Sequence, residues 1–139
     1  MAGQLDITSD AKRLLSSYVR LLGAVPRSEV REQFEWADVF LLPTLCEGSA
    51  TVCYEALSYG LPVITTPNAG SVVRDEIDGF VVPIREWASI VDRIERFLDD
   101  YDLWEAMSAN ALKRSAEYTL EKYGERFVSA LHAVPSPVH

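Results

Sequence analysis

PTLCEGSATVCYEALSYG, Pro43 to Gly60, is the stretch around which the chain is arranged. The apolar run Val39, Phe40, Leu41 and Leu42 stops at Pro43, and a loop then carries Glu47, Gly48 and Ser49. A helix follows from about Ala50 to a glycine stop at Gly60, with Pro62 just beyond. Val52, Cys53, Ala56 and Leu57 fall on one side of that helix, and Thr51, Glu55 and Ser58 on another. The stretch therefore reads as strand, loop and helix, with two carboxylates, Glu47 and Glu55, flanking the turn.

The run before Pro43 is continuous rather than alternating, as a strand covered on both faces by helices requires. It is read as a central parallel strand. Val63 to Thr66 is the next strand, followed by a turn-rich loop over Pro67 to Ser71, a short helical piece from Val72 to Ile77, and a strand at Phe80 to Val82. Helical spacing of apolar residues recurs over Glu86 to Leu98, about Leu103 to Tyr118, and about Leu120 to Leu131. The last carries Leu120, Tyr123, Phe127 and Leu131, read as packing on this same domain in preference to forming an interface. Upstream, Ser9 or Asp10 caps a helix through Ser17 with Leu14 and Leu15 inward, Tyr18 to Leu22 reads as a strand closed by Gly23, and Ser28 opens a helix to Trp36.

Strands alternating with helices give an α/β, Rossmann-like three-layer domain with a mostly parallel sheet. With 139 residues, 48% of them hydrophobic, one domain is expected, over residues 1–134, with a flexible tail at 135–139 after Pro135. In such sheets ligands bind outside the carboxyl ends of the strands, so the loops after Leu42 and Thr66 share one rim.

The charge balance narrows the partners. Acidic residues outnumber basic ones 21 to 13, giving a net charge of -8, which disfavours nucleic acid and anionic membrane surfaces as non-specific partners. Without a signal-like or membrane-spanning apolar segment, a cytoplasmic location is expected. Cys46 and Cys53 have no metal-like spacing with His132 or His139, so no metal is expected and packing is their reading. Cys46 precedes a helix start, where a thiolate can be stabilised, but no histidine stands near it in sequence to activate it.

On the rim, Gly48, Ser49 and Ala50 leave backbone N–H groups at a helix start, where an anion such as phosphate can approach closely, although Gly48 can equally serve only the turn. Glu47 can accept hydrogen bonds from sugar hydroxyls, or be a solvated loop glutamate. Glu55 can accept from a ribose diol, or belong to an exposed polar face. The residues themselves leave these alternatives open.

The run from Ala37 to Pro83, ADVFLLPTLCEGSATVCYEALSYGLPVITTPNAGSVVRDEIDGFVVP, resembles the C-terminal, donor-binding domain of retaining family 4 glycosyltransferases of the GT-B fold. The apolar strand ending in proline, the EG pair with a second glutamate after seven residues, EALSYGLPVI, NAG and DGFVVP match together, and Leu22-Gly23 with the helix into Trp36 extends the likeness upstream. The resemblance implies a truncated half of a GT-B fold that transfers a sugar from a nucleotide-diphosphate sugar to an acceptor hydroxyl with retention and without a metal or other cofactor. It implies that Glu47 contacts the transferred sugar as the catalytic group, that Glu55 binds the ribose, that Gly48, Ser49, Ala50 and Thr51 lie by the diphosphate, and that Val25 lies beside the base.

The departures from the family pattern carry their own expectations. Ser49 stands where many relatives have an aromatic side chain. The family's N-terminal domain is missing, as is the opening part of this domain with its basic diphosphate-binding residues, so that domain or a partner chain is an expected partner and the isolated chain is expected to turn over weakly or not at all. In a full-length parent, a position at the membrane surface is compatible with the sequence. A non-catalytic nucleotide-sugar-binding module and a structural fragment are the alternatives. In the doubly wound order 3-2-1-4-5-6 the two absent strands would stand between Tyr18–Leu22 and Val39–Leu42, so either those strands pair directly or another chain, a second copy included, covers the exposed edge.

Overall fold

The computed structural model describes residues 1–133, so the tail expected at 135–139 lies outside the described residues. The chain falls into two compact units, Met1–Trp36 and the remainder from Ala37.

In the first unit, α1 (Ser9–Ser16) starts where the Thr8 side chain accepts from Ala11 N–H at 3.3 Å, one residue before the expected cap. α2 (Arg27–Trp36) buries Phe34. Two expectations fail here. Leu14 points to solvent, 63% exposed, and only Leu15 is partly covered. Tyr18 to Leu22 is not a strand: it opens as a turn, and its pairing shrinks to a single bridge between Ala2 and Gly23, with Leu22 N–H donating to Met1 O and Gly3 N–H to Gly23 O. Strand propensity needs a partner ladder to be realised, and the segment beside it offers three residues.

The second unit is a three-stranded parallel sheet with helices. β1 (Phe40–Leu42), β2 (Val63–Thr65) and β3 (Gly79–Val81) stand in the order β1-β2-β3, with Phe40 opposite Val63 and Ile64 opposite Phe80. The central strand is thus β2, whose three residues are all buried, and not β1, where Leu41 is 42% exposed. An apolar run shows that a strand can be covered, but its place in the order depends on which strands are present. The sheet contains no strand from 18–22, so direct pairing of that segment with β1 is not how the gap is closed. At the other edge the chain closes β3 itself: Glu76 N–H donates to Gly79 O at 2.9 Å and Val81 N–H to the Asp75 carboxylate at 2.9 Å. This covers an edge that would otherwise template association.

α3 (Thr51–Ser58) buries Cys53, Ala56 and Leu57, as its spacing requires. It ends in a Schellman motif, in which Leu61 N–H reaches Ala56 O and Gly60 N–H reaches Leu57 O. Gly60 there has φ 72°, and a Cβ would stand 3.2 Å from Ser108 Oγ. α4 (Trp87–Asp99) and α5 (Tyr101–Ser115) follow, with Asp100 capping α5 through Leu103 N–H at 2.9 Å. Ile64, Phe80, Val82, Phe97 and Met107 form the core, each contributing about 1.5–3 kcal/mol on burial. Phe80 meets Phe97 at 5.1 Å between ring centres and carries Arg93 and Arg96 over its ring.

Two further expectations are corrected. Residues 72–77 form no helix: a 3-10 turn at Pro67–Ala69 takes the helical geometry earlier, and 76–78 is a plain turn. Arg74 sets that turn, its backbone N–H and Nε gripping the buried Asp78 carboxylate at 2.6 and 2.7 Å, which holds the backbone out of a helical path. The stripe on α6 (Leu120–His132) does not pack on this domain, since Leu120, Tyr123, Phe127 and Leu131 are all more than half exposed. α6 is fastened instead by hydrogen bonds near its start, from Lys122 Nζ to Ala116 O and from Arg126 to Glu117 O. Among the described residues no helix is long and apolar enough to cross a membrane.

Candidate functional site

The loops leaving β1 and β2 meet at the carboxyl end of the sheet, and hydrogen bonds stitch them along their length. Thr65 Oγ1 donates to Leu42 O at 3.0 Å and Thr66 Oγ1 to Thr44 O at 2.6 Å. Asn68 Nδ2 donates to Leu45 O at 2.7 Å, while its own carbonyl accepts from Glu47 N–H at 2.9 Å. Ala50 N–H then donates to Ala69 O at 3.0 Å. The loop bearing Glu47 is therefore held from both ends by the TTPNA segment.

Each residue of the NAG motif has a reason to be there. Asn68 bridges with both its side chain and its backbone, and Ala69 is fully buried where a larger side chain would push the loops apart. Gly70 has φ 56°, and a Cβ there would lie 2.3 Å from Gly48 O. Gly70→Ala is expected to open the clasp, through that collision and through about 1–2 kcal/mol for an L residue in left-handed geometry. Hydrogen exchange at the Glu47 and Ala50 amides should then accelerate relative to wild type, and unchanged exchange would show that the loops tolerate the methyl.

The expected site residues distribute as follows. Glu47, Gly48, Ser49 and Thr51 are exposed on the loop and first turn, Ala50 is buried, and Glu55 is half-buried on α3. The Ala50 amide is not available to an anion, contrary to the sequence reading, because Ala69 O takes it. Ala50 offers no side chain to cap α3, so the Thr51 and Val52 amides open the helix without an intrahelical acceptor. Val25 belongs to the first unit, on the loop before α2. Thr65, Thr66 and Asn68 are the residues that sequence reasoning passed over. Their signal was the polar pair Thr65-Thr66 closing an apolar strand beside NAG.

Cys53 is fully buried beneath this loop, and burial pushes its thiol above the ordinary value, with hydrogen bonds to Ser71 and Thr65 opposing and the Glu47 charge adding to the rise. A neutral thiol there packs rather than attacks. Cys46 is exposed. Arg74, the first cation after the β2 loop, has its Nε on Asp78. Among the described residues no three His, Cys, Asp or Glu side chains group as a metal site.

A loop whose backbone is fixed and which carries an exposed carboxylate, a small-residue tip and open helix amides suits a ligand with hydroxyls and phosphates. Comparison with solved structures gives the same fold: the C-terminal domain of the glycosyl transferase group 1 family protein LpcC from Francisella tularensis (TM-score 0.70, 18% identity, 81% of this chain and 64% of that one). Anabaena Alr3699/HepE in complex with UDP superposes with a TM-score of 0.79 at 20% identity, over 96% of this chain and 40% of that one. The fold is the Rossmann-like one of GT-B glycosyltransferases, and the LpcC match is to a C-terminal domain.

Among curated relatives, a sucrose synthase of Melioribacter roseus is 29% identical over 85% of this chain and 16% of its own length. The putative glycosyltransferase YtcC of Bacillus subtilis is 28% identical over 99% of this chain and 38% of its own. The chain thus spans well under half the length of these relatives. The family model for glycosyl transferases group 1 matches residues 7–114, most of the chain and all of the stitched rim, and the chain belongs to that family.

Proposed function

We propose that the chain, over residues 1–134, is part of the donor-binding domain of a retaining, metal-independent glycosyltransferase and holds a nucleotide-diphosphate sugar against the stitched loops. Glu47 faces the transferred sugar and orients it, Glu55 accepts from the ribose hydroxyls, and the diphosphate lies across Gly48, Ser49 and the open amides of Thr51 and Val52. The observation that carries this reading is the clasp: hydrogen bonds from the β2 loop fix the Glu47 loop in place before any ligand arrives. Preorganised donors aimed at a leaving diphosphate stabilise the charge that develops on it as the sugar departs.

Because the chain spans well under half of its relatives' length, binding without efficient turnover is the behaviour proposed for it alone. The acceptor site and the rest of the catalytic contacts are assigned to a separate N-terminal domain or partner chain. The setting proposed for such a parent is the cytoplasm, at a membrane surface.

Calorimetry with UDP-, GDP- and ADP-glucose tests the reading. One of the three is expected to bind, and Glu55→Ala should weaken it at least tenfold, about 1.4 kcal/mol. Unchanged affinity in Glu55→Ala would sink the ribose assignment. Absence of binding by all three would sink the donor site. Adding a separately expressed N-terminal domain should then raise sugar transfer above that of either part.

A further inference from the structure

Behind the exposed tip of the Glu47 loop lies an aromatic and cationic column that the proposed reading does not use. Ser49 Oγ stands 3.4 Å from the Tyr54 hydroxyl. The Tyr54 ring meets Tyr118 edge-on, with 5.6 Å between centres and 70° between planes. Tyr118 lies beneath two guanidinium groups, Arg114 at 4.7 Å and Arg126 at 5.0 Å from its ring centre. Arg114 is fixed by Val72 O at 3.0 Å and the Glu117 carboxylate at 2.6 Å, and Arg126 by Glu117 O at 3.0 Å. Each ring is thus held by groups that are themselves anchored, and the column ends on one hydroxyl at the site.

We propose that Tyr54 is a positioning residue: its phenol sets the direction of the Ser49 hydroxyl so that Ser49 engages the hexose of the bound donor. This rests on the donor reading above. A serine on an exposed loop samples its three staggered rotamers, and its hydroxyl rotates as well. A partner within hydrogen-bond reach selects among them, and a contact that is long in the unliganded protein shortens when the ligand fixes the other side. Packing alone would be met by phenylalanine at position 54, because the contact with Tyr118 uses the ring and not the hydroxyl. Among the described residues the Tyr54 hydroxyl meets Ser49, and Ser49 is exposed on the loop against which the donor reading puts the sugar.

The inference separates the sugar from the nucleotide, and so does its test. Take whichever of UDP-, GDP- and ADP-glucose binds tightest, together with its nucleoside diphosphate, and titrate both by calorimetry into wild type, Tyr54→Phe, Ser49→Ala and the double variant. Tyr54→Phe is expected to keep its melting temperature and its affinity for the diphosphate within twofold, while losing threefold to tenfold for the nucleotide-glucose. The double variant should bind the nucleotide-glucose no more weakly than Ser49→Ala, because Tyr54 acts through Ser49. Equal loss for both ligands, no loss for either, or additive losses in the double variant would overturn the proposal. Wild type that binds the diphosphate but gains nothing from the glucose also overturns it while leaving the nucleotide site standing, and wild type that binds neither ligand overturns both readings.

Discussion

Gly79→Ala is expected to leave the second unit unfolded. A Cβ at that position would lie 2.0 Å from Val63 O and 2.7 Å from Val63 N, and Val63 is its register partner on the central strand. Neither atom belongs to a side chain that could swing aside. Relief requires β2 and β3 to separate, which breaks the β2 to β3 ladder and uncovers Ile64 and Phe80 in the core. Loss of that packing exceeds about 4 kcal/mol, a large share of the stability of a domain this size. Circular dichroism should show no cooperative melt. Gly48→Ala is the control, since a Cβ there meets nothing within 4 Å. A Gly79→Ala protein that melts like wild type would mean that the strands can shift by an ångström without penalty.

Arg74→Ala is expected to lower stability by about 3 kcal/mol, the lower part of the range for breaking a buried ion pair, because the Arg74 side chain is itself 39% exposed and water replaces part of what is lost. Asp78 is fully buried, and its carboxylate takes both the backbone N–H and Nε of Arg74. Removing the guanidinium leaves a buried negative charge with one donor. Asp78→Asn in the same chain should recover part of the loss, since it removes the charge that has become unpaired. Urea midpoints of the two variants measure this, and a single variant within about 0.5 kcal/mol of wild type would show that Asp78 is satisfied without Arg74.

The helices α3, α4 and α5 were legible because their information is local. Cys53, Ala56 and Leu57 on α3, and Met107 and Ala111 on α5, repeat at the period that puts them on one face, those faces are buried, and Phe97 is the residue α4 buries. Gly60 and the following Pro62 likewise mark the end of α3 by backbone geometry that few other residues adopt. The glutamates of the rim were legible as a pattern, with Glu47 and Glu55 flanking the start of the helix. By contrast, 18–22 looked like a strand and α6 looked like a core helix because both carry apolar residues at suitable spacing. Spacing states which residues could be covered together, and the covering has to come from elsewhere in the chain.

The order of strand, loop and helix around Pro43–Gly60, the parallel α/β class and the family of the rim were readable from residue order alone. Backbone propensity, apolar period and turn residues act over a few positions and are written there. It took the folded chain to show that β2 and not β1 is the central strand, that Ala50 gives its amide to Ala69, and that Asn68 ties the Glu47 loop down. Each of these is a hydrogen bond or a ladder between residues some twenty positions apart, and such a bond is specified only once both segments have been brought to the same end of the sheet.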